Sequence, residues 1–485
     1  MNSKCLAVFA LLPFLASTSP AATVYLAQGT IVGEVTQTSA ILQARLTAAD
    51  SPRDGDVPGA EGTVFFEVST SPDFVRAIKT LNLTAKAEND YIAKALVSKL
   101  QPGTQYYYRV SGARGTALAS IAYGGSFQTL PPRDAATRLS FVVGNCMNYA
   151  FFQVGQTKKD GTVTKAGYQG ADKNLGYPAM DAILGLKPDF FVGAGDNVYY
   201  DHPGHTPAKT QAELRRKWHE QFVQPRLVKL FKFTPTYWLK DDHDYRWNDS
   251  DPSLPGEPSH ALGIQTYFEQ LPVVDPEEWR PDPYRTHRLN KLVQIWLVEG
   301  RDYRSPNKTP DGPEKSIWGA RQKQWLQETL LESDATFKIL LSPTPMVGPD
   351  DASKGDNHVN QKGFRHEGDA FFRWLAENKI RTDRFFIITG DRHWKYHSVH
   401  PSGYEEFSCG ALNTENSRLG RNPGDGKSTD PEAKVKQLYT DKQPVGGFLK
   451  INVRPAERGE PADLQFVLHD DKGATLYKVE RAAKQ

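Results

Sequence analysis

Cysteine is scarce in these 485 residues, with three in all, and net charge is almost absent: 59 Lys and Arg stand against 57 Asp and Glu, a formal charge of +2. So balanced a chain has no bulk field to gather nucleic acid or an anionic membrane. No nucleic acid partner is implied, and specificity must reside in a local site. Beyond the amino terminus no stretch is apolar and long enough to cross a bilayer, so no stable membrane anchor is expected. Internal repeats and low-complexity tracts are missing as well, which excludes repeat architectures. What remains, at 39% hydrophobic and 24% charged, is ordinary globular composition in a length that suggests two or three domains.

The first 22 residues combine Lys4, an apolar run from Cys5 to Ala16 and a small-residue stretch, Ser19-Pro20-Ala21-Ala22. That is the tripartite pattern of a secretory signal peptide, with cleavage expected after Ala21 or Ala22. No twin-arginine pair precedes the run, so Sec-type export to the periplasm or the medium is the expectation. Cys5 leaves with the leader, and Cys146 and Cys409 remain. By counting alone, two leftover cysteines in an oxidising compartment favour one disulfide.

From Val24 to Leu130 the text is strand and turn. Ala40 to Leu46 and Val64 to Val68 roughly alternate, and a Pro102-Gly103 turn feeds the Tyr-rich run Tyr106 to Tyr108. This resembles the tyrosine corner of fibronectin type III and immunoglobulin-like sandwiches, so residues 23–130 read as a small β-sandwich domain closed by the stiff Pro131-Pro132 linker. Residues 131–485 then alternate strands with helices. Strands are expected at Leu139 to Val143, Asp189 to Ala194, Thr236 to Lys240, Leu292 to Val298, Phe337 to Leu341 and Arg384 to Thr389, and again beyond Gly447. Helices are expected at Gln211 to Gln224, Arg321 to Leu331 and Ala370 to Glu377, with Pro225 ending or kinking the first. The polar segments Asp249 to Glu257, Asp302 to Glu314 and Leu419 to Glu432 read as surface loops.

Four chemically loaded clusters each follow directly on an apolar run: Gly144-Asn145-Cys146, Gly195-Asp196-Asn197-Val198-Tyr199, Asp241-Asp242-His243-Asp244 and Gly390-Asp391-Arg392-His393. Strands of one sheet would bring these tips together, at carboxyl ends where α/β sheets bind ligands. Crowded carboxylates repel, and burying several is costly unless cations compensate. Multivalent metal ions are the simplest compensation. Carboxylates and an amide suit hard ions, whereas the Cys146 thiolate and the His393 imidazole suit a transition metal. Adjacent metals can clamp an in-line displacement at phosphorus, so phosphate-ester hydrolysis is the leading chemistry. The strand-tip position also moves Cys146 from disulfide partner to ligand, leaving Cys409 as a buried thiol. His202, His205, His260 and His287 have no such context and read as surface residues.

In this order, a Cys at the first tip, Gly-Asp-x-x-Tyr at the second, Asp-Asp-His-Asp with Asn248 after it, and Gly-Asp-x-His at the last resemble the PhoD-type alkaline phosphatases and phosphodiesterases of the calcineurin-like metallophosphoesterase superfamily. The segment Glu299 to Ser305 is close to that family's Asp-x-Arg-x-x-Arg, and Gly319 to Leu326 is a further match. The resemblance implies an α+β fold: an αββα metallophosphoesterase sandwich, preceded here by the fibronectin type III/immunoglobulin-like β-sandwich. It implies a ferric ion (Fe3+) held by Cys146, Asp196, Tyr199 and His393, with Asp196 bridging to calcium (Ca2+) held by Asp242 and Asp391. It makes Asn248 a candidate contact at the metal or the phosphate, leaves Arg301 and Arg304 open between phosphate contact and pairing with nearby acids, and makes His243 the candidate proton donor, with a metal-activated hydroxide as nucleophile and no covalent enzyme intermediate.

The implied function is that of an exported phosphoesterase acting on phosphomonoesters, with diesters or a phospholipase D-like attack on phospholipid headgroups as the close alternative. A different class, a non-catalytic secreted binding protein using only its sandwich, should have lost ligands; none of the expected set is missing. The leader lacks the twin-arginine pair common in the family. The carboxyl-terminal extension that caps the site in some relatives is not evident, so a more open pocket is expected.

Overall fold

The computed structural model describes residues 24–114, 117–278 and 281–483; the expected leader, with Cys5, lies outside them. Alternation along the strands sets the layers. In Leu139–Gly144, Phe141 and Val143 share a core with Phe190, Val192 and Leu239, and facing them are Ile339, Leu341, Phe386, Ile388 and Phe407 of a second sheet. The intervening residues Val142, Phe191 and Trp238 turn to the opposite face, against Trp218, Phe222, Leu230 and Phe231 of the helices. In the second sheet Leu340, Phe385 and Ile387 likewise turn outward onto Leu326, Phe371 and Leu375. Strands buried on both faces must be apolar throughout, which is why they read as near-continuous hydrophobic runs. The result is helix, sheet, sheet, helix.

The first sheet has nine strands, in the order Thr475–Ala482, Asp463–Asp470, Gly447–Arg454, Leu139–Gly144, Phe190–Ala194, Thr236–Leu239, Thr30–Gly33, Ala40–Arg45 and Ile92–Val97. The second has seven: Arg285–Arg288, Val293–Leu297, Phe337–Ser342, Phe385–Thr389, Glu405–Cys409, Lys395–Val399 and Lys436–Thr440. Parallel register pairs Gly193 with Gly144 and Ala194 with Leu239, so three chemically loaded tips end level with one another. The fourth tip belongs to the other sheet, not to the same one as expected. It is drawn in where Gly390 passes so close to Ala194 that a Cβ would lie 2.2 Å from its carbonyl oxygen. A parallel bridge between Asn145 and Ala411 ties the two sheets beside it.

The expected strands appear within a residue or two. Thr210 caps the helix Gln211–Phe222 through a capping box with Glu213, and Pro225 opens a new helix, Pro225–Phe231, at its first position, where its missing N–H costs nothing. In the amino-terminal sandwich, Val32, Leu42 and Ala44 pack on Val64, Phe66, Tyr106 and Tyr108, and the Tyr106 hydroxyl accepts from Gln101 N at 2.9 Å. One sheet of that sandwich is continuous with the nine-stranded sheet, because Thr30–Gly33 pairs in parallel with Thr236–Leu239. No helix among the described residues is long and apolar enough to cross a membrane.

A buried charge network fastens the sandwich to the helices. Asp90 accepts from Arg45 at 3.0 Å, His219 at 2.7 Å and Gln270 at 2.7 Å, and the other nitrogen of His219 lies 2.7 Å from Asp56. Burial pushes the Asp90 carboxyl up, but His219, Arg45 and Gln270 outweigh it and hold it down at about 2. Because the folded value is depressed below the 3.8 of a free aspartate, its contribution is present above pH 4 and is lost as pH falls toward 2. The difference corresponds to roughly 2 kcal/mol. Asp90→Asn tolerates the same left-handed backbone (φ 53°) and is expected to unfold at a lower temperature than the parent at pH 7, the gap closing between pH 4 and pH 2. A gap that stays constant down to pH 2 would contradict this.

Candidate active site and metal centre

The strand tips turn sharply. Cys146, Asp196 and Asp391 all adopt left-handed backbone, with φ of 51°, 52° and 61°. Such a conformation costs a non-glycine residue about 1–3 kcal/mol and persists only where the surroundings over-determine it. Here Cys146 N donates to Gly195 O at 3.3 Å, Met147 N to Asp196 O at 2.9 Å and Arg392 N to Gly390 O at 2.6 Å, locking each turn. With the Asn145 amide turned so that its oxygen accepts from Asp391 N at 2.8 Å, the first tip is also tied to the last.

The softer donors converge on one side of Asp196. Cys146 Sγ lies 3.3 Å from Asp196 Oδ2, and Tyr199 Oη lies 3.2 Å from that oxygen and 3.4 Å from His393 Nε2. Asn416 fixes the phenol, donating to Tyr199 Oη and to Cys146 O at 3.0 Å each. Cys146 and Cys409 are both free and buried, so there is no disulfide between them; the Cys409 thiol rests 3.0 Å from the Asn145 amide.

Acids crowd the other side. Ligand atoms lie within 4.8 Å of one another in the groups Cys146, Asp196 and His393; Asp196, Asp242 and His243; Asp196, Asp241 and Asp391; and Asp242, Asp249 and Asp356. Asp196 is common to three of them. Asp242 and Asp391, expected to share a cation, fall in different groups, and Asp241 stands beside Asp391 instead. Burial and then the Asp242 charge push the Asp196 carboxyl well above the usual range. Burial does the same to Asp241 against the pull of Arg301, and burial, Asp196 and Asp391 push up the Cys146 thiol. Buried oxygens of Asp241 (Oδ2) and Asp356 (Oδ1) have no hydrogen-bond partner among the described residues. Unpaired, mutually repelling donors of this kind fit metal ions: thiolate, phenolate and imidazole on one side, carboxylate oxygens on the other. Burial also keeps His393 neutral, the form a ligand needs.

His243 is differently placed. Its Nδ1 lies 2.7 Å from Asp201 Oδ1, while Asp201 Oδ2 accepts from Asn248 N at 3.0 Å. Burial opposes the imidazolium, but Asp201, Asp242 and Asp196 outweigh it and hold His243 protonated well above its usual range. The other ring nitrogen has no protein hydrogen bond among the described residues. His202, read from sequence as a surface residue, is stacked instead between Phe151 (4.6 Å) and Tyr199 (5.2 Å), and burial lowers it to about 4, so it is neutral.

The two arginines are buried with their donors engaged. Arg301 donates to Asp241 at 2.6 Å, to Ser250 O at 3.2 Å and to Asp356 at 3.2 Å. Arg304 donates to Gly300 O at 2.6 Å, Asn307 at 3.1 Å and Asp356 O at 3.1 Å. They brace the acid-bearing loops; neither presents a free guanidinium to a phosphate. Asn248 is exposed at the edge of the acid cluster, its Oδ1 3.5 Å from Lys354 Nζ.

Sequence reasoning gave no role to Asp201, Asp249, Asp356, Lys354, His202 and Asn416, and it placed Asp241 in the third cluster without making it a ligand. Asp201 stands two residues beyond Tyr199 and could have been found by asking what orients His243. Asp249 and the start of the Asp302 segment were read as surface loop, yet Ser250, Asp251 and Arg304 are buried. Asp356 and Lys354 sit in an aperiodic stretch that carries no local signal.

Residues 161–457 match the family model of the PhoD-like phosphatases, and residues 14–131 match that of the PhoD-like phosphatase N-terminal domain. Over 343 residues the chain is 24% identical to alkaline phosphatase D of Bacillus subtilis (strain 168), an alignment that takes in 64% of this chain and 54% of the relative. The chain thus spans about half the length of that curated relative. A solved structure of PhoD superposes with a TM-score of 0.73 at 17% identity, over 96% of this chain and 92% of the other. Purple acid phosphatase PPD1 from yellow lupin (Lupinus luteus) seeds superposes at 0.61 and 13% identity, over 96% and 75%. At such identities these two likenesses establish the fold.

Proposed function

The chain belongs to the PhoD-like phosphatase family, and from that premise we propose that it is an exported, metal-dependent phosphoesterase that hydrolyses phosphomonoesters. The observation that carries the reading is Asp196, buried where a thiol, a phenol, an imidazole and further carboxylates meet. Cys146, Asp196, Tyr199 and His393 would hold a ferric ion, and Asp196, Asp241, Asp242 and Asp391 would hold calcium. When bound, the cations supply Lewis acidity toward the phosphoryl group and lower the pKa of a water.

The chain's own groups do the rest. His243 offers a proton from Nε2 toward the leaving oxygen, and Asp201 fixes the ring and stabilises its charge from Nδ1. Tyr199 stacks on His243 at 4.2 Å, holding the ring over the centre. Asn248 offers its amide to the phosphate. Arg301 and Arg304 hold the acid loops in place from behind.

The test uses the purified full chain. Hydrolysis of an aryl phosphate is expected to vanish with chelator and return with iron plus calcium, and elemental analysis should find both metals. A ferric ion on a tyrosinate gives a visible charge-transfer band, which Tyr199→Phe is expected to abolish. Full activity after metal removal, or a colourless, fully active iron protein, would overturn the reading.

A further inference from the structure

We propose that Lys354 is the cation that receives the terminal oxygens of a phosphomonoester dianion, so that this site favours monoesters over diesters. The inference rests on the phosphoesterase reading and deepens it. Around the acid cluster the guanidinium groups are engaged: Arg301 and Arg304 as described, and Arg392 with Asp350 at 2.7 Å and with Asp391. Arg418, more exposed, lies across the Trp394 ring at 4.4 Å and pairs with Asp351 at 2.9 Å.

Lys354 differs from all of these. Its side chain keeps 20% of its surface exposed while its ammonium pairs with Asp249 and reaches the amide oxygen of Asn248 at 3.5 Å. Asp249 N donates to Asp242 Oδ2 at 2.5 Å and ligand atoms of Asp242, Asp249 and Asp356 lie within 4.8 Å of one another, which places Lys354, through its partner Asp249, at the acid cluster and not on an outlying surface. An ammonium has three donors, and these two partners occupy at most two.

Its mount is fixed. Lys354 N donates to Asp351 O at 3.0 Å, Ala352 N to Lys427 O at 2.9 Å, and the buried Asn360 amide donates to Ala352 O at 3.1 Å and to Lys354 O. Burial works against the charge, but Asp356, Asp391 and Asp249 outweigh it and raise Lys354 above the ordinary lysine range. A cation held in advance loses little on binding an anion.

The consequence is selective because the two ester classes differ in charge. A monoester near neutral pH carries between about 1.5 and 2 negative charges, and a diester carries one. A fixed ammonium acts on the charge the diester lacks, whereas the metal ligands and His243 serve both.

The experiment compares the metal-loaded wild type with Lys354→Met and Lys354→Arg on a matched aryl monoester and diester, with inorganic phosphate as inhibitor and metal content measured. For Lys354→Met, kcat/KM on the monoester is expected to fall about 10–100-fold, the span of one charged hydrogen bond, with phosphate inhibition weakened to match. The diester should lose less than about 3-fold, and Lys354→Arg should keep most of the monoester preference. Equal losses on both esters, or unchanged phosphate inhibition at unchanged metal content, overturn the Lys354 assignment alone. A wild type that hydrolyses neither ester overturns the phosphoesterase reading and this assignment with it.

Discussion

Asp196→Asn is expected to abolish turnover, by more than about 10³-fold, while leaving the metal-free protein folded and no less stable than its parent. The two halves of that expectation have one cause. Asp196 is common to three groups of close ligand atoms and touches Cys146 and Tyr199 directly, so an amide in its place removes the charge that two cations would share. Losing a residue that only supports a ligand costs about 10–100-fold; losing the shared ligand should exceed that. Asn keeps the shape and accepts the left-handed backbone at φ 52°. It also relieves the repulsion that raises the Asp196 carboxyl in the absence of a cation. Chelator should therefore lower the unfolding temperature of the wild type and barely move that of the variant. Near-stoichiometric iron together with activity within tenfold of the parent would show that Asp196 does not bridge.

Legibility in the sequence followed the range of the physics. Strands such as Phe337–Ser342 and Phe385–Thr389 announce themselves because both faces are buried, a local property of the text. The tips announce themselves because an acid or thiol directly after an apolar run has few other uses. That Asp391 arrives from a different sheet than Asp196 is a matter of long-range pairing, on which period and composition are silent. The same holds for Asp356, which meets Asp242 and Asp249 across more than a hundred residues from a loop with no periodicity. Arg301 and Arg304 illustrate the opposite limit: the motif was legible and left both phosphate contact and pairing with nearby acids open, because whether a guanidinium faces substrate or braces a loop depends on which carbonyls and carboxylates surround it, and here these are Asp241, Asp356, Ser250 and Gly300. His202 was read as surface because it lacked a strand tip, although a residue three positions beyond Tyr199 can fold back to stack on it.

His243→Ala should slow hydrolysis by about 10²–10⁴-fold for alkyl phosphates, whose leaving oxygens need a proton, and by much less for nitrophenyl phosphate, whose leaving group departs as an anion. The slope of log kcat against leaving-group pKa should steepen accordingly. Asp201→Asn keeps a hydrogen bond to Nδ1 but removes the charge that stabilises the imidazolium, so it should shift the same slope by a smaller amount. The comparison across leaving groups separates proton donation from the other work His243 could do. Its ring also stacks on Tyr199 at 4.2 Å, and its backbone N–H points at Asp196 from 3.4 Å. Alanine retains the N–H and loses only the ring. If the ring merely held Tyr199 in place, its removal would slow every ester by the same factor and weaken the tyrosinate band. A steepened slope with the band intact assigns the proton to His243, whereas an equal loss with a fading band makes it a support for the phenol.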